Sequence, residues 1–274
     1  MRRPRNRGAA VDQERIAHWL AEFAGYRDPV TNGTIELWLQ QFLVADRDLA
    51  ARVLDGVLFI GNQKIRTDYR ELVKGLDGWD TSAAKRKGRW FFVPFSGSVG
   101  ESGDSMVHTL RMAMTMTNKK YDYLFIHRSE LVAKKPGPDD TVILVDDFSG
   151  TGTQACGSWE IFQQLLGGGP KIILMLGVAT ADALKVIGDK TEMEPICAVT
   201  LHKKDSIFKP ECVHFTQVEK NTILDYCRRA NPRNPEGFLG AGLLVVLAHR
   251  TPNDTIPILH ETNGAWRGLF PRNE

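Results

Sequence analysis

The sequence predicts an α/β protein: an N-terminal helical region followed by a core built on a central parallel sheet. Three observations carry that prediction. From about residue 89 onward, short and almost purely apolar runs alternate with stretches of helical period, the pattern of parallel strands covered on both faces. The first 80 or so residues instead carry apolar stripes at helical spacing with no strand-like run. The chain has 274 residues, of which 42% are hydrophobic and 25% charged, the range of a protein that builds its own core.

Residues 1–10 read as a mobile basic tail, carrying Arg2, Arg3, Arg5 and Arg7. Asp12, Glu14 and Arg15 follow within a few residues, where a secretion signal would need an apolar stretch, so no such signal is expected. Ile16, Trp19, Leu20 and Phe23 share one helical face, and Asp12 is placed to cap it. A second helical region is expected from Thr34 to Asp55, with a break near Asp46. Asp68 and Glu71 have the spacing of a cap and its acid for another short helix. A basic loop, Lys85–Arg89, then separates an N-terminal region, 1–85, from the core, 86–274.

In the core, strands are expected at Trp90–Phe95, Tyr121–His127, Val142–Val145, Ile172–Val178 and Leu243–Ala248, with a weaker candidate at Ile196–Leu201. Helices are expected at Ser105–Thr117, Thr153–Leu166, Ala181–Ile187 and Thr216–Ala230. No apolar run approaches the roughly 20 residues that span a bilayer, so no membrane contact is expected. The balance of 35 basic against 33 acidic side chains gives no global pull toward nucleic acid. Local contact remains open through Arg2–Arg7 or Lys85–Arg89. Cys156, Cys197, Cys212 and Cys227 include no C-x-x-C pair and read as reduced thiols of a cytoplasmic protein. Cys197, His202, Cys212 and His214 match no standard zinc spacing.

The sharpest signal is Thr141–Gln154, TVILVDDFSGTGTQ. A hydrophobic strand ends in two adjacent carboxylates, Asp146 and Asp147. Gly150 and Gly152 follow, interleaved with the hydroxyls of Ser149, Thr151 and Thr153, and a helix then starts near Gln154. Glycines that admit backbone amides, hydroxyl donors and a helix N-terminus together make a site for a phosphate dianion. Two carboxylates beside a phosphate would repel it, so their natural targets are sugar hydroxyls, with Mg²⁺ screening the charge. The segment therefore describes a phosphorylated sugar ligand at the carboxyl edge of a parallel sheet. A second loop, Ser96–Asp104, is rich in Gly and Ser and also lies between a strand and a helix.

The run Val145–Thr153 resembles the phosphoribosyl-pyrophosphate (PRPP) motif of type I phosphoribosyltransferases. The resemblance implies a sheet of phosphoribosyltransferase type. It also implies that Asp146 and Asp147 hold the ribose hydroxyls and the metal, and that Ser149, Gly150, Thr151, Gly152, Thr153 and Gln154 hold the 5′-phosphate. Ser96, Gly97 and Ser98 stand where that family binds pyrophosphate. The tail, Leu243–Leu259 with Trp266 and Leu269–Arg272, resembles the PRTase-CE subgroup, which implies a bacterial anti-phage defence system and a protein partner encoded in the same operon. The looser likeness covers about residues 86–272. Purine-salvage members often carry a catalytic acid at the place of Gly150, and a long lid where this chain has only the Pro-containing connection Arg128–Asp140. Two functions follow: a phosphoribosyltransferase using PRPP and Mg²⁺, or an inactive module that senses PRPP or a nucleotide for a partner. A third reading comes from Asp146-x-Phe148-x-Gly150-x-Gly152-Thr153, which also fits a motif of S-adenosylmethionine-dependent methyltransferases. No Pro-Pro pair is present to complete that second enzyme's site. His249–Asp254 reads as polar cover for a ligand, through Arg250 and Asn253, or as a plain turn.

Overall fold

The computed structural model describes residues 12–95, 102–166 and 169–272. The basic tail carrying Arg2–Arg7 lies outside them. In chain order the elements are α1 (Gln13–Glu22), α2 (Asn32–Gln40), α3 (Arg47–Asp55), β1 (Leu58–Ile60), α4 (Asn62–Lys74), β2 (Trp90–Pro94), α5 (Ser102–Ala113), α6 (Leu131–Lys134), β3 (Thr141–Ser149), α7 (Thr153–Leu165), β4 (Lys171–Thr180), α8 (Ala181–Lys190), β5 (Glu194–Leu201), α9 (Gln217–Ala230), β6 (Val245–Leu247) and α10 (Pro257–His260). Short 3₁₀ turns join several of them. The chain divides into two compact units, residues 1–62 with 203–274 and residues 63–202. These contacts cut the chain elsewhere than the change of composition near residue 85 does.

In the first unit, residues 12–62 and 203–272 fold together. Asp12 caps α1 by accepting the amide of Glu14 at 3.2 Å. The apolar stripe of α1 is buried, with Phe23 edge-on to Phe59 and Phe270. Arg15 bonds Asp55 and Asp48, and the Trp19 indole donates to Asp55 at 2.9 Å, fixing α1 on α3. The Leu58–Ile60 strand pairs in parallel with Val245–Leu247. The expected strand at Leu243–Ala248 is therefore shorter, and it belongs to this small sheet rather than to the main one. Its partner β1 has only three residues, too few to register as a strand pattern in the sequence.

The second unit carries a four-stranded parallel sheet of order β2-β3-β4-β5. β3 lies in the interior, and Val142, Ile143, Leu144 and Val145 are wholly buried, as near-continuous apolar strands require. One face packs on α7 and α8, where Ala155, Trp159, Phe162 and Ile187 meet Phe91, Val93, Val142, Leu144, Leu174 and Leu176. Alternation along β3 sends Ile143, Val145 and Asp147 to the other face.

Two expectations need correction. Tyr121–His127 is not a strand: Lys119–Leu124 is a 3₁₀ turn whose start is capped by Asn118, accepting the amide of Lys120 at 3.0 Å. Only Phe125 bridges to the sheet, at Phe92, and the two rings stack at 5.2 Å. Asp68 does not cap a helix either, because α4 starts six residues earlier and Asp68 pairs with Lys64 inside it. Among the described residues no helix is long and apolar enough to cross a membrane.

Candidate functional site

The carboxyl end of β3 is reached through an apolar strand with neighbours on both sides, so its last residues are held in register from β2 and from β4. Phe95 donates its amide to Val145 at 2.9 Å, and Asp146 and Ser149 are paired with Leu176 and Ala179. The adjacent carboxylates of Asp146 and Asp147 stand here, at 9% and 2% exposure. Burying two neighbouring acids is costly unless hydrogen bonds offset it. At Asp146 they are present: Oδ1 accepts the Ser102 hydroxyl at 2.6 Å and the Asp147 amide at 2.9 Å.

Behind the acids lies a fully buried phenol. Tyr69, from α4, donates to the main-chain carbonyl of Asp146 at 2.7 Å. Its pKa stands well above the usual tyrosine value, first through burial and then through the charges of Asp147 and Asp146. The tyrosine is thus a permanent donor that locks the strand end. Gly177 of β4 leaves room for it: a Cβ there would lie 2.9 Å from the Asp147 carbonyl oxygen and 3.6 Å from the Tyr69 hydroxyl.

The turn after β3 is built as tightly. Gly152 has φ +73°, and a Cβ there would sit 3.1 Å from the Ala183 carbonyl and within 3.3 Å of Val186 and Ile187. Its glycine is required by the turn and by close packing on α8. Thr180 ties the turn to α8 from the other side, donating to the Gly150 carbonyl at 2.6 Å and accepting the Ala183 amide at 2.9 Å. Thr151 and Thr153 join through their hydroxyls at 3.1 Å. Gly152 brings no side-chain cap to α7, and the Thr153 amide meets the Thr151 hydroxyl at 3.4 Å, so the positive end of the helix faces the turn.

The structure therefore places Asp146, Asp147, Ser149, Gly150, Thr151, Gly152, Thr153 and Gln154 in one strand–turn–helix joint. Ser96, Gly97 and Ser98 lie outside the described residues; Phe95 and Ser102, the described residues on either side of that segment, both bond β3. Sequence reasoning missed Tyr69 and Thr180, and took in Ser102 only as part of the loop Ser96–Asp104. Each acts on the motif from 30 to 77 positions away, and neither Tyr69 nor Thr180 carries a local signal.

Asp146 and Asp147 are hard oxygen donors of the type Mg²⁺ prefers. Among the described residues no group of three or more His, Cys, Asp or Glu is gathered to hold an ion. The donor set fits a Mg²⁺ completed by ligand phosphate and water, not an all-protein cage. All four cysteines are free thiols.

The connection between residues 128 and 140 is short and pinned. Arg89 reaches the carboxylate of Asp140 through Nε and Nη2, the latter at 2.6 Å, and donates to the carbonyls of Lys134 and Lys135. Asp140 also accepts the amides of Arg89 and Gly137. These donors outweigh its burial and hold its pKa below the usual carboxylate value.

Two solved structures share a limited likeness with the chain. Orotate phosphoribosyltransferase from Aeropyrum pernix is 16% identical, with 50% of this chain and 70% of that chain covered and a TM-score of 0.31. Orotate phosphoribosyltransferase from Mycobacterium tuberculosis, in complex with PRPP, is 15% identical, covering 66% and 94%, at a TM-score of 0.33. No curated protein sequence matches. The PRTase-CE family model matches residues 35–272, reaching further toward the N-terminus than the likeness read from residues 86–272. With a match over most of its length, from α2 to the last described residue, the chain belongs to the PRTase-CE family.

Proposed function

We propose that the chain binds PRPP, or a nucleotide carrying a 5′-phosphate, at the carboxyl end of β3. The observation that carries this is the joint itself: two adjacent buried carboxylates on a central parallel strand, running through a left-handed Gly152, which has no side chain to cap with, into the start of α7. Ser149–Gln154 would hold the 5′-phosphate with hydroxyls and helix amides. Asp146 and Asp147 would accept the ribose hydroxyls, one of which takes the place of the Ser102 hydroxyl on Asp146. Mg²⁺, when bound with the ligand at Asp146 and Asp147, would supply charge neutralisation. Ser96, Gly97 and Ser98 would take the pyrophosphate. In an active enzyme the bond from the ribose C1′ to pyrophosphate breaks, a bond to a nitrogenous acceptor forms, and the acceptor loses its proton. The two carboxylates would steady the positive charge that develops on the sugar. Family membership extends the proposal to a cytoplasmic component of a bacterial anti-phage defence system, acting with an operon-encoded partner.

A second reading, a sensing module without turnover, is favoured by two features. The connection 128–140 is fastened by Arg89 and Asp140 where a mobile lid would be needed, and Gly150 offers no acid. Thermal unfolding with PRPP and Mg²⁺ tests binding, and pyrophosphate release over a panel of bases separates the readings. Stabilisation by PRPP is expected under both. Stabilisation by S-adenosylmethionine, with none from PRPP or 5′-nucleotides, would overturn both.

A further inference from the structure

Away from the β3 site, the second unit carries a basic and aromatic patch that the proposed ligand does not use. Its centre is Arg86, whose guanidinium lies 4.8 Å from the Trp79 ring and 5.9 Å from the Tyr123 ring. Every arm of Arg86 is engaged: Nε donates to the Asp80 carbonyl at 2.7 Å, Nη2 to the Thr81 carbonyl at 3.0 Å and Nη1 to the Tyr123 hydroxyl at 3.3 Å. Trp79 in turn packs edge-on to Trp90 and Phe92 of β2. The stack of Trp79, Arg86 and Tyr123 is thus rooted in the sheet and ends in an aromatic ring that is 46% exposed.

Three lysines flank that stack in the sequence: Lys85 beside Arg86, and Lys119 and Lys120 in the turn that carries Tyr123. The 3₁₀ turn Lys119–Leu124 aligns side chains three apart, so Lys120 and Tyr123 rise on one side. Lys120 lies 4.9 Å from the Tyr121 ring. Lys85 adjoins Arg86 in sequence. Lys85 and Lys119 are exposed and make no ion pair among the described residues. Of the nearby acids, Asp122 pairs with Arg111 and Asp77 with Lys87, while Asp80, bonded to the Ser82 amide, keeps one negative charge. Basic side chains thus outnumber acidic ones in the two segments that carry Arg86 and the half-exposed Tyr123.

We propose that this patch binds single-stranded nucleic acid, with one base stacked on Tyr123 and neighbouring phosphates on Lys85, Lys119 and Lys120. A single strand is favoured over a duplex because paired bases have no free face for the ring. Cationic support behind the ring suits a base, whose face is electron-rich, and the lysines suit a backbone carrying a charge at each nucleotide.

The test is fluorescence anisotropy of the full chain with labelled homothymidine and homouridine oligonucleotides across a salt series. Three phosphate contacts predict a slope of log affinity on log salt of about −2, falling to about −0.7 in the double variant Lys85→Glu with Lys119→Glu. Tyr123→Ala should weaken binding at least about fivefold, whereas Tyr123→Phe, which keeps the ring, should retain it. Melting temperatures of the lysine double variant and of Tyr123→Phe should match the unmodified chain, since these changes leave an aromatic ring beside Arg86. Equal affinity for a duplex, loss of binding on deleting residues 1–9 rather than at Tyr123, binding to anionic vesicles in place of oligonucleotides, or no binding at low salt would each overturn the proposal.

Discussion

Two substitutions in adjacent positions separate the ligand site from the joint that carries it. Gly152→Ala puts a methyl group on a residue at φ +73°, 3.1 Å from a main-chain carbonyl oxygen. The left-handed conformation alone costs an L-residue roughly 1–2 kcal/mol. For a unit of this size each kcal/mol lowers the melting temperature by about 2–4 °C, so the ligand-free variant should melt roughly 2–8 °C lower. Thr151→Glu acts differently. Thr151 is half-buried, and its hydroxyl bonds only to Thr153 within the turn. An acid there leaves the fold in place but sets a negative charge and extra bulk where the 5′-phosphate would lie. With PRPP at about a hundred times its dissociation constant, the unmodified chain should gain about 2.7 kcal/mol. That corresponds to roughly 5–11 °C. Differential scanning fluorimetry with and without PRPP and Mg²⁺ measures both quantities. The expected pattern is a low baseline with a surviving ligand shift for Gly152→Ala, and a normal baseline with no shift for Thr151→Glu. A full ligand shift in Thr151→Glu would refute the placement of the phosphate, and an unchanged baseline in Gly152→Ala would refute the tight packing of the turn on α8.

Two further predictions concern pairs of titrating groups. In the first unit, burial raises the pKa of Asp254 to about 6, against the pull of Arg272 and Arg250, while burial, aided by Arg272, lowers that of His260 to about 4. The folded state favours protonated Asp254, so the stability it contributes is present below about pH 4 and lost as pH rises through about 6. It also favours neutral His260, so that contribution is present above about pH 6.5 and lost as pH falls through about 4. Each displacement is worth roughly 3 kcal/mol, and the two oppose each other across the same window. Urea unfolding between pH 4 and 7 should therefore be nearly flat in the unmodified chain, rise with pH in Asp254→Asn and fall with pH in His260→Asn; two flat variants would refute the assignment. In the second unit, Arg89→Met strips the buried Asp140 carboxylate of its charged partner and should cost roughly 1–3 kcal/mol near neutral pH. Because Arg89 and the two amides hold the Asp140 pKa low, the stabilisation is present above the ordinary carboxylate range and lost as pH falls through the lowered value. The variant should thus show a smaller loss on acidification, measured by the same unfolding series.

The parts of the fold legible in the sequence are those whose causes are local. Val142–Val145 is apolar at every position because both of its faces are covered, and the joint after it announces itself through two acids, two glycines and three hydroxyls in nine residues. Asp12 capping α1 and Thr216 capping α9 are local in the same way. What could not be read depends on partners far along the chain. β1 is a strand only because Val245–Leu247 lies beside it. Tyr121–His127 is a different case, a local signal misread: the Asn118 cap starts a 3₁₀ turn there that leaves only Phe125 bridged to β2. Arg89, within a run that reads as a solvated basic loop, is spent on Asp140 fifty-one positions away.

The same division explains the candidate site. Its chemistry is local, so the acids and the phosphate-type turn stand in one continuous segment. Its rigidity is not: Tyr69 locks the Asp146 carbonyl, Ser102 orients the Asp146 carboxylate, and Thr180 fixes the Gly150 carbonyl from the end of the next strand. A buried tyrosine whose pKa lies well above the ordinary value stays protonated near neutrality, so its hydroxyl remains a donor to the Asp146 carbonyl. Tyr69 therefore fixes the main chain at Asp146, and with it the strand end that carries the two acids, whether or not turnover occurs. Preorganisation of this kind is needed equally by an enzyme and by a sensor, because both must hold a ribose and a phosphate at fixed separation. The feature that distinguishes them lies off the joint, in the fastened connection between Arg128 and Asp140. An enzyme of this design must exclude water from a developing sugar cation, and a segment held by Arg89 on two carbonyls and a carboxylate is poorly placed to close over it.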